Sequence, residues 1–400
     1  MIKTKQTEQF EFFSKNDNGL LTFPKAIKSK SVNEKLIINI LENSFFSKNH
    51  KNTSFVSTYL GGGFHSEVTG GEFQKIVFED KTNKKLLSVV LKHSPSFGNE
   101  QKKLFKLLNS LGFVELVKIL RKYPSNQVNR RELMFYRYLA DEVCIKVPSF
   151  YFGAINPRTE ETWLVLEDLL NWSKIKPGDK RWTSFRLKMV LMKMAKFHSV
   201  FWDKSLNLNQ FDWIGRWWAD RENDYMSKDV ALFGLWACRR IYPDILTLNL
   251  YKKLSEVISH RELIGNIFLQ QKQTLIHWDF NPNNILFNKL NTNEGNLALL
   301  DWQVVSIGIP HLDVAQLIVA NMGIENEDDV VDLVKNYIFF LKKYIGETID
   351  SKQFMKIFDL AILDHFFRVC APVLINSNSE SLAEWNNCLG WIRGRSLFWL

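Results

Sequence analysis

Residues 277–287 read HWDFNPNNILF, a histidine, a carboxylate and three amides in front of a short apolar run. Pro282, in the middle, has no N–H to donate and clashes with a preceding helical turn, so the stretch is a stiff loop. ILF (285–287) is a short strand, NKLNTNEGN (288–296) a turn-rich connector, and LALLD (297–301) a second apolar strand. Two such strands on a short polar connector form an antiparallel hairpin. The hairpin brings Asn284, which starts the first strand, beside Asp301, which ends the second. An amide oxygen and a carboxylate at one edge are hard oxygen ligands that suit Mg²⁺, with waters and phosphate oxygens completing its shell. Asp279, five residues before Asn284, is then left to orient a substrate hydroxyl and accept its proton, as phosphoryl transfer requires. Ordinary turn-flanking Asp and Asn residues are the alternative. That alternative suffices for Asp301 alone, but not for His277, Asp279, Asn284 and Asp301 together.

These residues need a frame. Upstream, VNEKLIINILENSFF (32–46) repeats apolar residues at helical spacing, and SFVSTYL (54–60), FQKIVFED (73–80) and LLSVVLK (86–92) read as strands of an antiparallel sheet. GGGFHSEVTGG (61–71) lies between the first two. It is either a flexible hairpin tip or a turn whose bare N–H groups lie over phosphates. No helix follows it, which argues against a dinucleotide-binding turn or a P-loop. Lys92 ends an apolar strand. In NRRELMFYRYLADEV (129–143), Glu132 shares one helical stripe with Phe135, Tyr136, Leu139 and Val143. A carboxylate on a core-facing stripe needs a partner, and a strand lysine would serve. Equally, it sits in the first turn, where it favours the helix dipole. VPSFYFGAI (147–155) and TWLVLEDLL (162–170) add two further strands.

Composition shifts near residue 170. Twelve of the thirteen tryptophans lie after residue 171, and helical periodicity dominates from there. RLKMVLMKMAKFHSVFW (186–202) is an amphipathic helix with His198 on its inner face, read as a satisfied core histidine. Residues 327–400 read as helices. Trp172, Trp182, Trp213, Trp217 and Trp218 are core, or line a pocket for a flat or cationic ligand.

With 46% hydrophobic and 24% charged residues, the chain is expected to fold rather than stay disordered. The net charge of +9 is dispersed and is not expected to mark a nucleic-acid binder. Cys144, Cys238, Cys370 and Cys388 have no CxxC spacing, so a zinc site or a disulfide framework is not expected. No apolar signal region and no membrane span is read, and a cytoplasmic protein is the expectation.

The H-x-D-x-x-x-x-N stretch, followed by a strand ending in Asp, resembles the kinase-like fold, and within it the aminoglycoside phosphotransferase and choline kinase group. LVLEDL (164–169), KMAKFH (193–198), HWDFNPNNILF and LLDWQ (299–303) look most like the ecdysteroid-kinase-like branch. The resemblance covers roughly residues 55 to 320. It implies a two-lobed α+β fold. A helical extension would occupy 1–50 and a small antiparallel-sheet N-lobe with one long helix 51–170. A larger, mainly helical C-lobe would occupy 171–400. It further implies that Gly61, Gly62, Gly63 and Ser66 cover the phosphates of ATP. Lys92 would hold the α/β-phosphates and pair with Glu132. Glu167, Asp168 and Leu169 would form the hinge against adenine, mainly through backbone groups. His277 and Asp279 would be catalytic, Asp279 as base, and Asn284 and Asp301 would bind Mg²⁺. Asp313 resembles a structural aspartate without a catalytic role.

Two departures stand out. The family usually has a small residue, often Gly, where this chain has Trp278, and the indole is expected to narrow the acceptor pocket or stack on the acceptor. The Gly-rich stretch is not a full G-x-G-x-x-G. No Ala-Pro-Glu segment follows Asp301, which points away from a protein substrate. The implied activity is ATP- and Mg²⁺-dependent phosphorylation of a hydroxyl on a small molecule: a sterol-like, macrocyclic, aminoglycoside-like or choline-like alcohol. The alternative is a pseudokinase that binds a nucleotide or ligand without chemistry.

Overall fold

The computed structural model describes residues 11–14, 34–45, 53–61, 72–80, 85–95, 128–169, 172–218, 228–289, 296–321, 327–375 and 379–395, with isolated positions between 105 and 117. They belong to two compact units. The first is Met1–Gly112, Asn126–Asp141 and Pro148–Leu170; the second is Phe113–Ser125, Glu142–Val147 and Asn171–Leu400.

In the first unit the β-branched and aromatic runs form strands β1 (Glu11–Ser14), β2 (Thr53–Gly61), β3 (Glu72–Asp80), β4 (Lys85–Ser94), β5 (Phe150–Ile155) and β6 (Thr162–Glu167). They make one sheet in the order β1-β5-β6-β4-β3-β2, with antiparallel neighbours throughout. Side chains alternate across it. Ile76, Phe78, Val89, Leu91, Phe152, Ala154 and Val165 form one apolar cluster with Ile37, Ile38 and Ile40 of helix α1 (Glu34–Phe45). Lys92, next to Leu91, therefore points to the other face. Helix α2 (Val128–Tyr138) packs there, with Leu133 and Phe135 fully buried.

Two details differ from the sequence reading. Residues 1–50, read as a helical extension, also contribute β1, which pairs with β5. Helix α2 stops at Tyr138 rather than running to 143. The Phe135 carbonyl accepts from both the Leu139 N–H (2.9 Å) and the Ala140 N–H (3.0 Å), closing the last turn. Leu139 and Val143 remain buried beyond it.

The second unit is mainly helical. Its helices among the described residues include α3 (Ser184–Val200), α4 (Ser205–Leu208), α5 (Lys228–Ile241), α6 (Leu248–Ser259), α7 (Arg261–Leu269), α8 (His311–Asn321), α9 (Glu327–Ile345), α10 (Ser351–Ile375) and α11 (Ser379–Gly394). Helix α3 packs on α9, while α10 packs on α5, α8 and α11. Two small sheets sit among them. One has the order β11-β10-β7, from β7 (Trp172–Lys174), β10 (Ile285–Asn288) and β11 (Leu297–Leu299). The other, β8-β12-β9, combines β8 (Gly215–Arg216), β9 (Thr274–Ile276) and β12 (Ser306–Gly308). The expected hairpin is present: β10 and β11 pair antiparallel, Ile285 opposite Leu299. Trp182, Trp213 and Trp217 are core residues, while Trp172 and Trp218 are half-buried. No described helix is long and apolar enough to cross a membrane.

Gly153 of β5 lets α2 approach the sheet. A Cβ there would collide with Leu133 Cδ1 and come within 3.1 Å of the Phe150 ring. Since Leu133 is fully buried, it has nowhere to move. Gly153→Ala is expected to cost about 1–3 kcal/mol of stability, read from the midpoint of urea denaturation.

Candidate active site

Strand β9 delivers the chain to His277, where Asp313 takes hold of it. Asp313 lies in the first turn of α8 and is fully buried. Its Oδ2 accepts from the His277 N–H and its Oδ1 from the Trp278 N–H, each at 2.8 Å. His198 Nε2 lies 3.2 Å from Oδ2, and His198 Nδ1 lies 2.7 Å from the Tyr337 hydroxyl. A buried carboxylate is costly unless its lone pairs are met, and two backbone donors plus an imidazole meet them here. Burial first, and the Asp313 charge second, push the Tyr337 phenol well above its ordinary range. The phenol therefore keeps its proton and can donate it to His198 Nδ1, leaving Nε2–H to donate to Asp313. This is the satisfied core histidine that the sequence suggests.

Trp278 adopts φ 59°, a left-handed conformation that glycine enters freely and a tryptophan only under constraint. The small residue usual at this position in the family thus has a conformational reason. The two hydrogen bonds to Asp313 supply the constraint in its place. The indole is buried, 2% exposed, and one face carries the Arg368 guanidinium, 5.4 Å from the ring centroid. It is a packed residue, not the pocket wall that the sequence reading expects.

His277 also differs from expectation. Nε2 lies 2.8 Å from the Leu300 carbonyl, and Nδ1 accepts from the Asp279 N–H at 3.2 Å. Both ring nitrogens are committed within the loop, and the ring is buried against Trp302 at 4.6 Å. In this arrangement His277 joins the loop to the end of β11 and has no nitrogen left for a substrate.

Asp279 keeps 22% of its side chain exposed. Its Oδ2 accepts from Asn284 Nδ2 (2.9 Å), and its Oδ1 from Asn281 Nδ2 (3.0 Å) and Gln316 Nε2 (3.1 Å). Arg368 Nη2 is 3.7 Å from Oδ1. Pro282–Asn284 is one 3₁₀ turn, capped by Asn281 Oδ1 accepting from the Asn283 N–H at 2.9 Å. Pro282 at its first position has no N–H to leave unpaired. This turn sets Asn284 at the entrance to β10.

The donor set fits Mg²⁺. The Asn284 amide nitrogen is spent on Asp279, while Oδ1 accepts no hydrogen bond among the described residues. The Leu300 N–H donates to the Asn284 carbonyl at 2.9 Å, which places Asp301 one residue past the pairing. Among the described residues no cluster of three His, Cys, Asp or Glu could hold a metal. One amide oxygen and one carboxylate are a donor set that an ion keeping waters and substrate oxygens accepts. Asp301, like Trp278, has a left-handed backbone, φ 62°.

The other residues that the sequence singles out belong to the first unit. Lys92 Nζ lies 2.7 Å from Glu132 Oε2, each side chain 3% exposed, and Lys92 also lies over the Phe73 ring at 5.1 Å. Of the two sequence readings of Glu132, the partnered one holds. Glu167 accepts from Ser149 N–H (3.0 Å) and Oγ (2.9 Å), and Asp168 from Ser88 Oγ (2.6 Å) and Lys75 (2.8 Å). Both carboxylates are therefore turned toward neighbouring strands and their flanking residues. Leu169 follows, half-buried. Gly61 ends β2, after a register shift that follows Tyr59. Gly62, Gly63 and Ser66 lie outside the described residues.

Gln316 and Arg368 escaped the sequence reading. Gln316 follows Asp313 by three residues on α8, so the clamp and the second brace of Asp279 share one helix face. Arg368 had a fainter signal: a lone arginine in the apolar run HFFRVC of α10.

Two predictions follow from these contacts. Lys92→Met alone strands a buried carboxylate and should cost about 3–5 kcal/mol, whereas Lys92→Met with Glu132→Leu should regain most of it. Urea denaturation of wild type, Lys92→Met, Glu132→Leu and the double variant completes the cycle. The second concerns His311, whose ring lies 3.8 Å from that of Phe354, with no partner for either nitrogen among the described residues. Burial first, and His198 second, lower it from 6.5 to about 3. Folded chains hold the ring neutral where unfolded chains protonate it, so this contribution is complete above pH 6.5. It is lost as pH falls toward about 3, at roughly 1.4 kcal/mol per pH unit. His311→Phe should flatten that acid slope in unfolding measured from pH 7 to pH 4.

Comparison with known proteins accords with this geometry. A family model described as "Phosphotransferase enzyme family" (APH) matches residues 98–339. The chain is similar to the GDP complex of wild-type aminoglycoside 2'-phosphotransferase-IIIa, at 13% identity and TM-score 0.50, covering 90% of this chain and 99% of that one. A mutant of the same enzyme, also with GDP, matches at 13% identity and TM-score 0.50, covering 90% and 98%. No curated protein matches the chain by sequence. The fold is the α+β, kinase-like fold of the aminoglycoside phosphotransferases, as expected. With three fifths of its length matched by that model, the chain belongs to the phosphotransferase enzyme family.

Proposed function

We propose that this phosphotransferase moves the γ-phosphoryl group of ATP to a hydroxyl of a small molecule, with Mg²⁺. The observation that carries the proposal is Asp279: a carboxylate fixed by three amides, still open to solvent, beside an amide oxygen that accepts no hydrogen bond among the described residues. Asp279 orients the acceptor hydroxyl and takes its proton as the new O–P bond forms and the bond to the nucleotide's leaving oxygen breaks. Asn284 Oδ1 and Asp301 would hold Mg²⁺, which when bound would supply positive charge against the phosphate oxygens. Lys92, fixed by Glu132, holds the α/β-phosphates, and Gly61, Gly62, Gly63 and Ser66 cover them. Glu167, Asp168 and Leu169 meet adenine through backbone groups, which suits the hydrogen-bonded carboxylates of the first two. His277 positions the loop. In this reading residues 51–170 are the nucleotide-binding lobe and 171–400 the catalytic one.

Within the family, the Leu-Glu-Asp-Leu and Asp-Trp-Gln stretches favour the ecdysteroid-kinase-like branch over the aminoglycoside enzymes. Four free cysteines accord with a reducing, cytoplasmic setting. The pseudokinase alternative rested on Trp278, and with the indole packed away from solvent it loses that support.

Purified protein should phosphorylate at least one member of a hydroxylated-metabolite panel in the presence of ATP and Mg²⁺. Asp279→Asn should lower kcat about 10²–10⁴-fold, while Asn284→Ala should raise the Mg²⁺ concentration needed for half-maximal rate. Normal turnover by Asp279→Asn would refute the base assignment.

A further inference from the structure

The two oxygens of Asp279 face different chemistry. Oδ2 is on the side of Asn284, the proposed metal ligand, and Oδ1 on the side of Gln316 and Arg368. The second side is where an acceptor approaches, if the first holds metal and phosphate.

Arg368 is a singular group there. Its Nη2 lies 3.7 Å from Asp279 Oδ1, close enough for attraction and too far for a hydrogen bond. It also lies over the Trp278 face. Among the described residues the guanidinium donates no hydrogen bond, and its side chain is 13% exposed. It is thus a fixed, partly solvated fork of N–H donors beside the carboxylate that receives the acceptor's proton. Gln316 complements it. The same amide that donates to Asp279 has an oxygen, Oε1, that is buried and accepts nothing among the described residues.

The geometry points to Arg368 as a specificity-determining residue: the acceptor is uncharged or anionic, and presents an oxygen to Arg368 beside the hydroxyl that is phosphorylated. This rests on the phosphotransferase reading of Asp279 and narrows it. A hydroxyl next to a carbonyl, carboxylate or ring oxygen matches this pair, its oxygen meeting the guanidinium donors and its O–H the Asp279 carboxylate. An ammonium group at that end would meet a like charge with little water to screen it. The aromatic face that would otherwise attract a quaternary ammonium is Trp278, and Arg368 already occupies it. Choline-like and polyamine-bearing acceptors are therefore disfavoured, although the solved structures of similar fold include aminoglycoside enzymes.

Three probes of one ring size and different charge separate the cases: glucuronate, glucose and glucosamine. Their equilibrium binding to the full chain is measured by isothermal titration calorimetry, so the outcome does not depend on turnover. Wild type should bind glucuronate at least about tenfold more tightly than glucosamine, a gap of about 1.4 kcal/mol, with glucose between them. Arg368→Glu should reverse the order and Arg368→Lys should keep it. Lost packing on Trp278 would weaken all three probes alike and reverse nothing. Glucosamine binding as tightly as glucuronate, an unchanged order in Arg368→Glu, or no binding of glucuronate by wild type would each overturn the assignment. Binding of ATP with Mg²⁺, titrated on the same samples, reports separately on the phosphotransferase reading.

Discussion

Asp313 is the interaction on which the rest of the site depends. One buried carboxylate accepts the N–H groups of His277 and Trp278, two successive residues of the loop, each at 2.8 Å. Successive backbone donors can reach the two oxygens of one carboxylate only if the chain between them turns sharply. The turn then determines where Asp279 points. The ion is not simply buried. Its position is tied through His198 to α3 and through Tyr337 to α9. The geometry of the base is thereby referred to the helical core rather than to the loop's own preferences, which in a segment rich in Asn and Pro would favour several turns.

Of the four non-glycine residues with positive φ among the described residues, two lie away from the site, at Glu160 and Asp203, and two lie where the chemistry is proposed. Trp278 and Asp301, on either side of the hairpin, both take positive φ. Such conformations persist when surrounding contacts over-determine them. For Trp278 those contacts are Asp313 below the backbone and Arg368 on the ring. At Asp301 they are the Leu300 N–H bonded to Asn284, and the Leu300 carbonyl paired with His277 Nε2. His277 thus couples the two strained points, a structural task that explains a histidine without assigning it a proton transfer.

Much of this was readable in advance, for a definite reason. Period 3.6 put Glu132 on the inner stripe of α2, where a strand lysine or the helix dipole would serve it equally, and the family resemblance supplied Lys92 as the partner that the structure shows. Hairpin logic placed Asn284 beside Asp301. Other features carry no such signal. EFFS at 11–14 is too short to separate from loop, and only its pairing with β5 makes it a strand. Arg368 lies 89 residues beyond Asp279 in sequence, and the packing of α10 on α8 that brings it close is not encoded in any local pattern. Trp278 read as an anomaly because its side chain drew notice, whereas the decisive property is its φ angle. Conformation at a single residue, fixed by a partner 35 positions away, is what spacing cannot disclose.

The Asp279 loop and Asp301 are proposed to form one phosphoryl-transfer centre. Anomalous diffraction from Mn²⁺, in crystals grown with a non-hydrolysable ATP analogue, tests it most directly. The account predicts a manganese peak bound by Asn284 Oδ1 and an Asp301 oxygen, with the γ-phosphate between that ion and Asp279. A peak held by other side chains, or nucleotide bound with Asn284 and Asp301 left without metal, would contradict it.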